Sequence, residues 1–175
     1  MSQSTLEILP LDSQSATELA QEFATRGWNK PPKQYAKYLR QQGTGEILCL
    51  VARVNGQVAG YLKIAWIPGY PPLRREGIPE IQDLNVLDPF RRRGVATKLL
   101  DAAEAEVSKR SPIVGIGVGL HPGYNAAQRL YVLRGYVPDA RGVTYKDEFV
   151  IERQKVTFDD DLVLHFTKNL ERIEP

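Results

Sequence analysis

Residues 80–105 read EIQDLNVLDPFRRRGVATKLLDAAEA. Glu80 to Leu87 reads as a strand. Val95 to Lys109 reads as a helix, with Val95, Ala96, Leu99, Leu100, Ala103 and Val107 on one stripe and Lys98, Asp101, Glu104, Glu106 and Ser108 off it. Between the two come Arg91-Arg92-Arg93-Gly94. The first turn of a helix leaves backbone N–H groups unpaired, and the macrodipole adds partial positive charge there. Gly94 and the small Ala96 let a ligand approach those groups, and the arginines add forked donors. This is the chemistry of anion capture, and a pyrophosphate fits it. The Lys-Ser/Thr pair of a P-loop is missing, and one glycine does not make a GxGxxG fingerprint.

Upstream, Thr5 to Leu9 alternates as a strand. Asp12 or Ser15 caps a helix that runs through Thr25 with Ala16, Leu19, Ala20 and Phe23 on one face. Pro31-Pro32 precede a second helix, Lys33 to Gln42. Ile47 to Val54 and Gln57 to Trp66 are strands joined at Asn55-Gly56, a hairpin signal because both turn positions need positive φ. Ile67 to Pro79, rich in Pro and Gly, reads as an exposed loop. Downstream, Pro112 stops the helix, and Ile113 to Leu120 is a strand with Gly at 115, 117 and 119. Those glycines leave one face bare, open to another backbone or a ligand. Asn125 to Arg134 is a short helix ended by Gly135; Val143 to Ile151 and Leu162 to Phe166 are strands, the last ending the sheet. The order β-α-α-β-β-β-α-β-α-β-β predicts an α/β (α+β) mixed sheet covered by helices, in a single domain over 1–175, and not a doubly wound Rossmann sheet.

The chain has 175 residues, 42% of them apolar, with 23 Lys+Arg against 21 Asp+Glu. That composition excludes disordered and collagen-like chains. A net charge of +2 gives no general nucleic-acid signature, and no apolar stretch is long enough to span a membrane. The single Cys49 excludes an internal disulfide and a Cys-based zinc site, and it reads as core in an apolar strand. His121 and His165 have no metal-like companion at i+4, so no metal is expected. The opening MSQSTLEILPLDSQS has no basic n-region or long apolar run, which points to the cytoplasm.

Arg91-Arg92-Arg93-Gly94-Val95-Ala96 resembles the R/Q-x-x-G-x-G/A signature of the GNAT acetyltransferase superfamily. Leu84-Asn85-Val86-Leu87-Asp88-Pro89 is similar to its L-x-V-x-P strand, and Ala127-Gln128-Arg129-Leu130-Tyr131 with Gly135-Tyr136 to its second motif. The resemblance covers Glu80 to about Pro138 and implies acetyl-CoA as donor. The pyrophosphate would rest on the segment Arg91, Arg92, Arg93, Gly94, Val95, Ala96 and Thr97, and the thioester end along Leu84, Asn85 and Val86. The family passes the acetyl group directly to an amine, using a general base and a general acid without an acyl-enzyme. Tyr131 stands at the position of the family's acid, with an apolar packing role as the alternative.

For the base, Glu80 stands at a glutamate position used by some members and ranks first; Asp83, nearer the cofactor end, ranks second. Strand alternation puts Glu80 with Gln82, Leu84 and Val86, and Asp83 with Asn85, unless a bulge intervenes. Where the family commonly has Asn, this chain has Tyr124; Asn125 follows one residue late and either contacts the cofactor or caps a helix. His121 is a proton relay or a polar loop residue, His165 is structural, and Asp159 to Asp161 is a cation attractor or a solvated turn. Trp28, Tyr35, Trp66 and Tyr70 line an acceptor pocket or belong to the core. Acceptor choice falls to Gly27 to Tyr38, to Ile67 to Pro79 and to the region after Pro138. The expected partners are acetyl-CoA and a primary amine of a small molecule or peptide, without membrane or nucleic acid; a homodimer is allowed. The other function class is a non-catalytic acyl-CoA-binding or regulatory module with the same fold.

Overall fold

The computed structural model describes residues 5–170. The strands are β1 (Leu6–Pro10), β2 (Ile47–Val54), β3 (Gln57–Ala65), β4 (Glu80–Val86), β5 (Ile113–Gly119), β6 (Val137–Tyr145), β7 (Glu148–Phe149) and β8 (Leu162–Asn169). The helices are α1 (Ser13–Thr25), α2 (Pro32–Gly43), α3 (Pro71–Glu76), α4 (Val95–Ser108) and α5 (Asn125–Leu133). The strands form a mixed sheet in the order β1-β2-β3-β4-β5-β8-β6-β7. The expected α/β mixed sheet is therefore present. Two compact units divide the chain: Met1–Ala65 with Gln82–Glu106, and Trp66–Ile81 with Val107–Pro175.

In the first unit, β1, β2 and β3 pair antiparallel. Asn55 (φ +50) and Gly56 (φ +80) make the turn that the Asn-Gly pair predicts. Asp12 caps α1 by accepting from the Ser15 N–H at 2.7 Å. The face of Ala16, Leu19, Ala20 and Phe23 is buried with Tyr35 and Tyr38 of α2, Cys49 and Val51 of β2, and Tyr61 of β3. Cys49 is core as expected, and burial, with help from the charge of Asp83, pushes its thiol up to about 12. A Cβ on Gly60 would stand 2.4 Å from the Asn85 carbonyl oxygen, so the glycine lets the backbone of β4 lie close.

In the second unit, Glu80 and Ile81 of β4 run parallel to β5, while β5, β8 and β6 pair antiparallel. Three expectations need correction here. The segment 67–79 is not an exposed loop. Pro71 and Pro72 occupy the first helical turn of α3, where a missing N–H costs nothing, and Gly77 at φ +66 ends it. Tyr70, Leu73 and Ile78 from this segment are buried together. The strand expected over 143–151 is instead β6 turning into the short β7 at Lys146 and Asp147, both at positive φ without a glycine to signal it. The last strand does not end the sheet: β8 lies between β5 and β6. The glycine face of β5 is covered by side chains, because a Cβ at 115, 117 or 119 would meet Leu73, Val163 with His165, or Tyr124. Among the described residues no helix is long and apolar enough to cross a membrane.

Candidate functional site

The arginine segment joins β4 to α4. Gly94 accepts from the Lys98 N–H at 2.9 Å and so stands at the N-cap. Its φ of +79 is a conformation suited to glycine, and nothing lies within 4 Å of where its Cβ would be. The first-turn N–H groups of Val95, Ala96 and Thr97 follow it, with Val95 buried and Thr97 exposed. Arg91, Arg92 and Arg93 are exposed. Arg91 donates from Nε to the Val86 carbonyl (3.2 Å), pairs with Asp88 (3.0 Å) and lies 5.8 Å from the Trp28 ring centroid. Arg92 takes φ +58, which turns the chain ahead of the helix. This open, basic helix start suits a pyrophosphate.

Asp83 has a left-handed φ of +54 in mid-strand, so alternation cannot be counted past it. The shared face inferred for Glu80 with Leu84 and Val86 does not stand. The Asp83 carboxylate accepts from Lys30 Nζ (2.5 Å) and Asn85 Nδ2 (2.8 Å) on Oδ1. On Oδ2 it accepts from Gln34 Nε2 (3.0 Å), Tyr38 Oη (2.9 Å) and Tyr61 Oη (2.7 Å). Burial first, then the negative charge of Asp83, drives the Tyr38 and Tyr61 phenols above their usual range, so both keep their protons and donate. A carboxylate has about four lone-pair sites, and five donors leave it little capacity for another proton.

Glu80, in the second unit, is 4% exposed. Its Oε1 lies 3.4 Å from Nδ1 of His165, itself 2% exposed. His165 Nε2 lies 3.2 Å from Thr144 Oγ1, and its ring stacks on Tyr70 at 3.6 Å between centroids and 1° between planes. Tyr70 Oη donates to Asp139 at 2.7 Å. Burial first, then this bond, raises the Tyr70 phenol. Lys30, Gln34 and Tyr38 lie in the segment Gly27 to Tyr38, and Asn85, Tyr70 and His165 were each read singly, but nothing in the sequence brought them to either carboxylate.

Tyr131 is the buried residue of α5, its ring centroid 5.9 Å from that of Tyr136. Burial first, then Tyr124, raises its phenol, which stays protonated at neutral pH. Asn125 does not cap: it is the first helical residue of α5, with Tyr124 at the cap position. His121 accepts from the Gly123 N–H (3.1 Å), and its Nε2 lies 2.7 Å from Asp160 Oδ1. Asp159 accepts from Tyr145 Oη and from the Asp161 N–H, as in an ordinary turn. Of the four aromatics considered for a pocket, Tyr35 and Tyr70 are core, Trp28 packs on Phe23, and Trp66 lies under Arg110 at 3.9 Å. Among the described residues no group of three or more His, Cys, Asp or Glu is placed to hold a metal.

The model of the acetyltransferase (GNAT) family matches residues 13–136. The chain belongs to the GNAT acetyltransferase family. No curated protein matches it significantly. Solved structures of the same fold include an N-acetyltransferase from Staphylococcus aureus Mu50, 13% identical, with a TM-score of 0.70 over 96% of this chain and 100% of that one. Another is an acetyltransferase from Salmonella typhimurium, described as modifying the N-terminal serine of ribosomal protein L7/L12, with 13% identity and a TM-score of 0.71 over 95% of this chain and 96% of that one. A third is the ribosomal-protein-S18-alanine N-acetyltransferase from Escherichia coli, with 14% identity and a TM-score of 0.66 over 95% and 94%. In this GNAT acetyltransferase Arg91-Arg92-Arg93-Gly94 leads into the start of α4.

Proposed function

We propose that this acetyltransferase uses acetyl-CoA and transfers the acetyl group directly to a primary amine of a small molecule or peptide. The observation that carries the reading is the segment Arg91 to Thr97: an exposed basic turn entering an open helix start through Gly94. Residues 1–175 act as one acetyltransferase domain, in keeping with a family match that runs through both compact units. The N–H groups of Arg91 to Thr97 hold the pyrophosphate, and the backbone of Leu84, Asn85 and Val86 holds the thioester arm. Bound acetyl-CoA supplies an activated acyl group and a thiolate leaving group. Glu80 is the base. An alkyl ammonium with a pKa of about 10 is protonated at neutral pH and cannot attack until a proton leaves. Asp83 is set aside as the base because five donors already occupy it. Tyr131 keeps its proton and is the acid for the departing thiolate. A fold shared with an acetyltransferase described as modifying the N-terminal serine of ribosomal protein L7/L12 supports including peptide α-amines among the acceptors. Acetyl-CoA as donor suits a cytoplasmic enzyme.

The test is thiol release from acetyl-CoA over a panel of small amines and peptides with free N-termini, beside calorimetry with CoA. Turnover on a panel member supports the reading; CoA binding without turnover on any member supports the non-catalytic module. Gly94→Val should weaken CoA binding about tenfold or more, since a β-branched residue is strained at φ +79 and fills the approach to the first-turn N–H groups. Unchanged affinity in a folded Gly94→Val protein removes this segment from the site.

A further inference from the structure

We propose that Asp83 and Asn85 act together as positioning residues: they fix the peptide between Asp83 and Leu84, and so aim the Leu84 N–H at the acyl end of acetyl-CoA. The inference rests on the reading of Leu84, Asn85 and Val86 as the seat of the thioester arm. Its ground is a strained residue held by five donors. Asp83 takes φ +54 inside β4, where no turn asks for it. A non-glycine residue keeps such a conformation only where its surroundings over-determine it, and such residues gather at functional sites. Here the surroundings are explicit. Lys30 from the α1–α2 connection, Gln34 and Tyr38 from one face of α2, and Tyr61 from β3 all donate to the carboxylate. Gln34 Nε2 also donates to Tyr61 Oη at 3.1 Å, which ties two of the donors together.

The fifth donor ties side chain to backbone. Asn85 Nδ2 reaches Asp83 Oδ1 at 2.8 Å and the Asp83 main-chain carbonyl at 3.0 Å. That carbonyl belongs to the peptide joining Asp83 to Leu84. No peptide among the described residues is cis, and in a planar trans peptide the C=O and N–H point in opposite directions. With the carbonyl turned to the Asn85 amide, the Leu84 N–H points away from the donors. The far end of the segment is fixed too. The Leu87 N–H donates to the Ala59 carbonyl at 2.8 Å, and Gly60 lets the Asn85 carbonyl lie close to β3. Leu84 to Val86 is therefore a short stretch of backbone pinned at both ends. A main-chain N–H aimed in advance at a thioester carbonyl stabilises the charge that develops on its oxygen, because nothing has to reorganise when the amine attacks. Burial, with the charge of Asp83 behind it, raises the Tyr35, Tyr38 and Tyr61 phenols and the Cys49 thiol, so none of the four ionises near neutral pH. Asp83 and Asn85 act through the backbone and take no proton from the acceptor.

Two variants of the full chain test this. Asn85→Ala removes the amide and leaves the other four donors in place. Calorimetry compares acetyl-CoA with 3′-phosphoadenosine 5′-diphosphate, which keeps the pyrophosphate and lacks the arm. Affinity for acetyl-CoA should fall about fivefold or more, with affinity for the nucleotide within about twofold of wild type. On the best acceptor of the panel kcat should fall about tenfold or more, and the loss should not recover as pH rises. Acetyl-CoA affinity or kcat within about twofold of wild type overturns the positioning role; if Gly94→Val still weakens CoA binding, the cofactor site stands without it. If Gly94→Val also binds as wild type does, the cofactor reading fails and this inference with it. Equal losses for the two ligands mean a merely structural role, and a kcat loss that recovers with pH means proton transfer; either overturns the proposal. Asp83→Gly takes φ +54 without strain and removes the carboxylate, so it should reproduce the Asn85→Ala pattern. Wild-type kcat in folded Asp83→Gly would show that the left-handed backbone suffices on its own, and that too overturns it.

Discussion

Glu80 and Asp83 stand three residues apart on β4, yet they belong to different compact units and live in opposite surroundings. Asp83 receives five donors, among them a lysine and two tyrosines that burial keeps protonated. Glu80 is more deeply buried and faces an imidazole nitrogen that carries no hydrogen bond. The same functional group thus stands in two settings. A carboxylate surrounded by donors is a structural anchor, since any added proton must displace a bond. A buried carboxylate beside an imidazole suits the base we propose.

The largest effect should come from Glu80→Gln, which keeps the shape and removes the proton acceptor. A positioned acid or base contributes roughly 10²–10⁴-fold, so kcat should fall within that range at neutral pH while CoA binding, read by calorimetry, stays intact. Raising the pH supplies free amine and should recover part of the loss. If Asp83→Asn shows the greater loss and the alkaline recovery, the two roles exchange and the donor-count argument fails.

Next in size is Asp83→Ala, read as stability. It leaves the Lys30 ammonium and the Tyr61 hydroxyl, on a side chain that is fully buried, without their acceptor. Unsatisfied buried donors cost about 1–3 kcal/mol, and the partial exposure of the Lys30 pair keeps the total near the middle of that span, about 2 kcal/mol. The urea midpoint should drop with an unchanged slope. A midpoint equal to wild type would show that the five bonds hold nothing in place.

Neither surrounding could be read from residues 80–86, although the strand itself could. The signals that worked were local. Asn55-Gly56 supplies positive φ by composition, and the stripe from Val95 to Val107 sets the buried face of α4. The failures were places where tertiary packing chose the conformation. Asp83 takes φ +54 although nothing marks it as a glycine would, and Lys146-Asp147 turns the chain without one. Pro71-Pro72 read as a loop because the segment is too rich in Pro and Gly for a strand, yet at a first turn prolines start a helix. The Glu80–His165 pair depends on β8 entering the sheet beside β5, where His165 registers with Gly117 while Glu80 registers with Gly115. That register is a property of strand order, and two residues 85 positions apart carry no mark of it. The arginine segment was legible because helix start, glycine and charge all sit within a few residues.

The smallest effect extends the comparison to a third carboxylate, Asp12, which caps α1 through one bond from the Ser15 N–H. One strong donor should give a small version of what five give Asp83. That bond is the leading cause holding the Asp12 carboxyl below its ordinary value. A group whose folded pKa is depressed contributes stability above its unfolded pKa, near 3.9 for an aspartate, and loses it as pH falls through the folded value. Asp12→Ala should therefore lower stability by about 0.5–1 kcal/mol at neutral pH, the usual cost of an exposed cap. The deficit against wild type should shrink as the solution is acidified below pH ~4, because wild type then loses the charged cap as well. Asp12→Asn keeps a capping oxygen, so it should sit close to wild type at pH 7 and show a deficit that does not follow this titration. Urea midpoints of the three proteins at neutral and acid pH decide it. A deficit in Asp12→Ala that stays constant with pH would mean that the cap works through shape alone, and that counting donors does not rank the carboxylates of this chain.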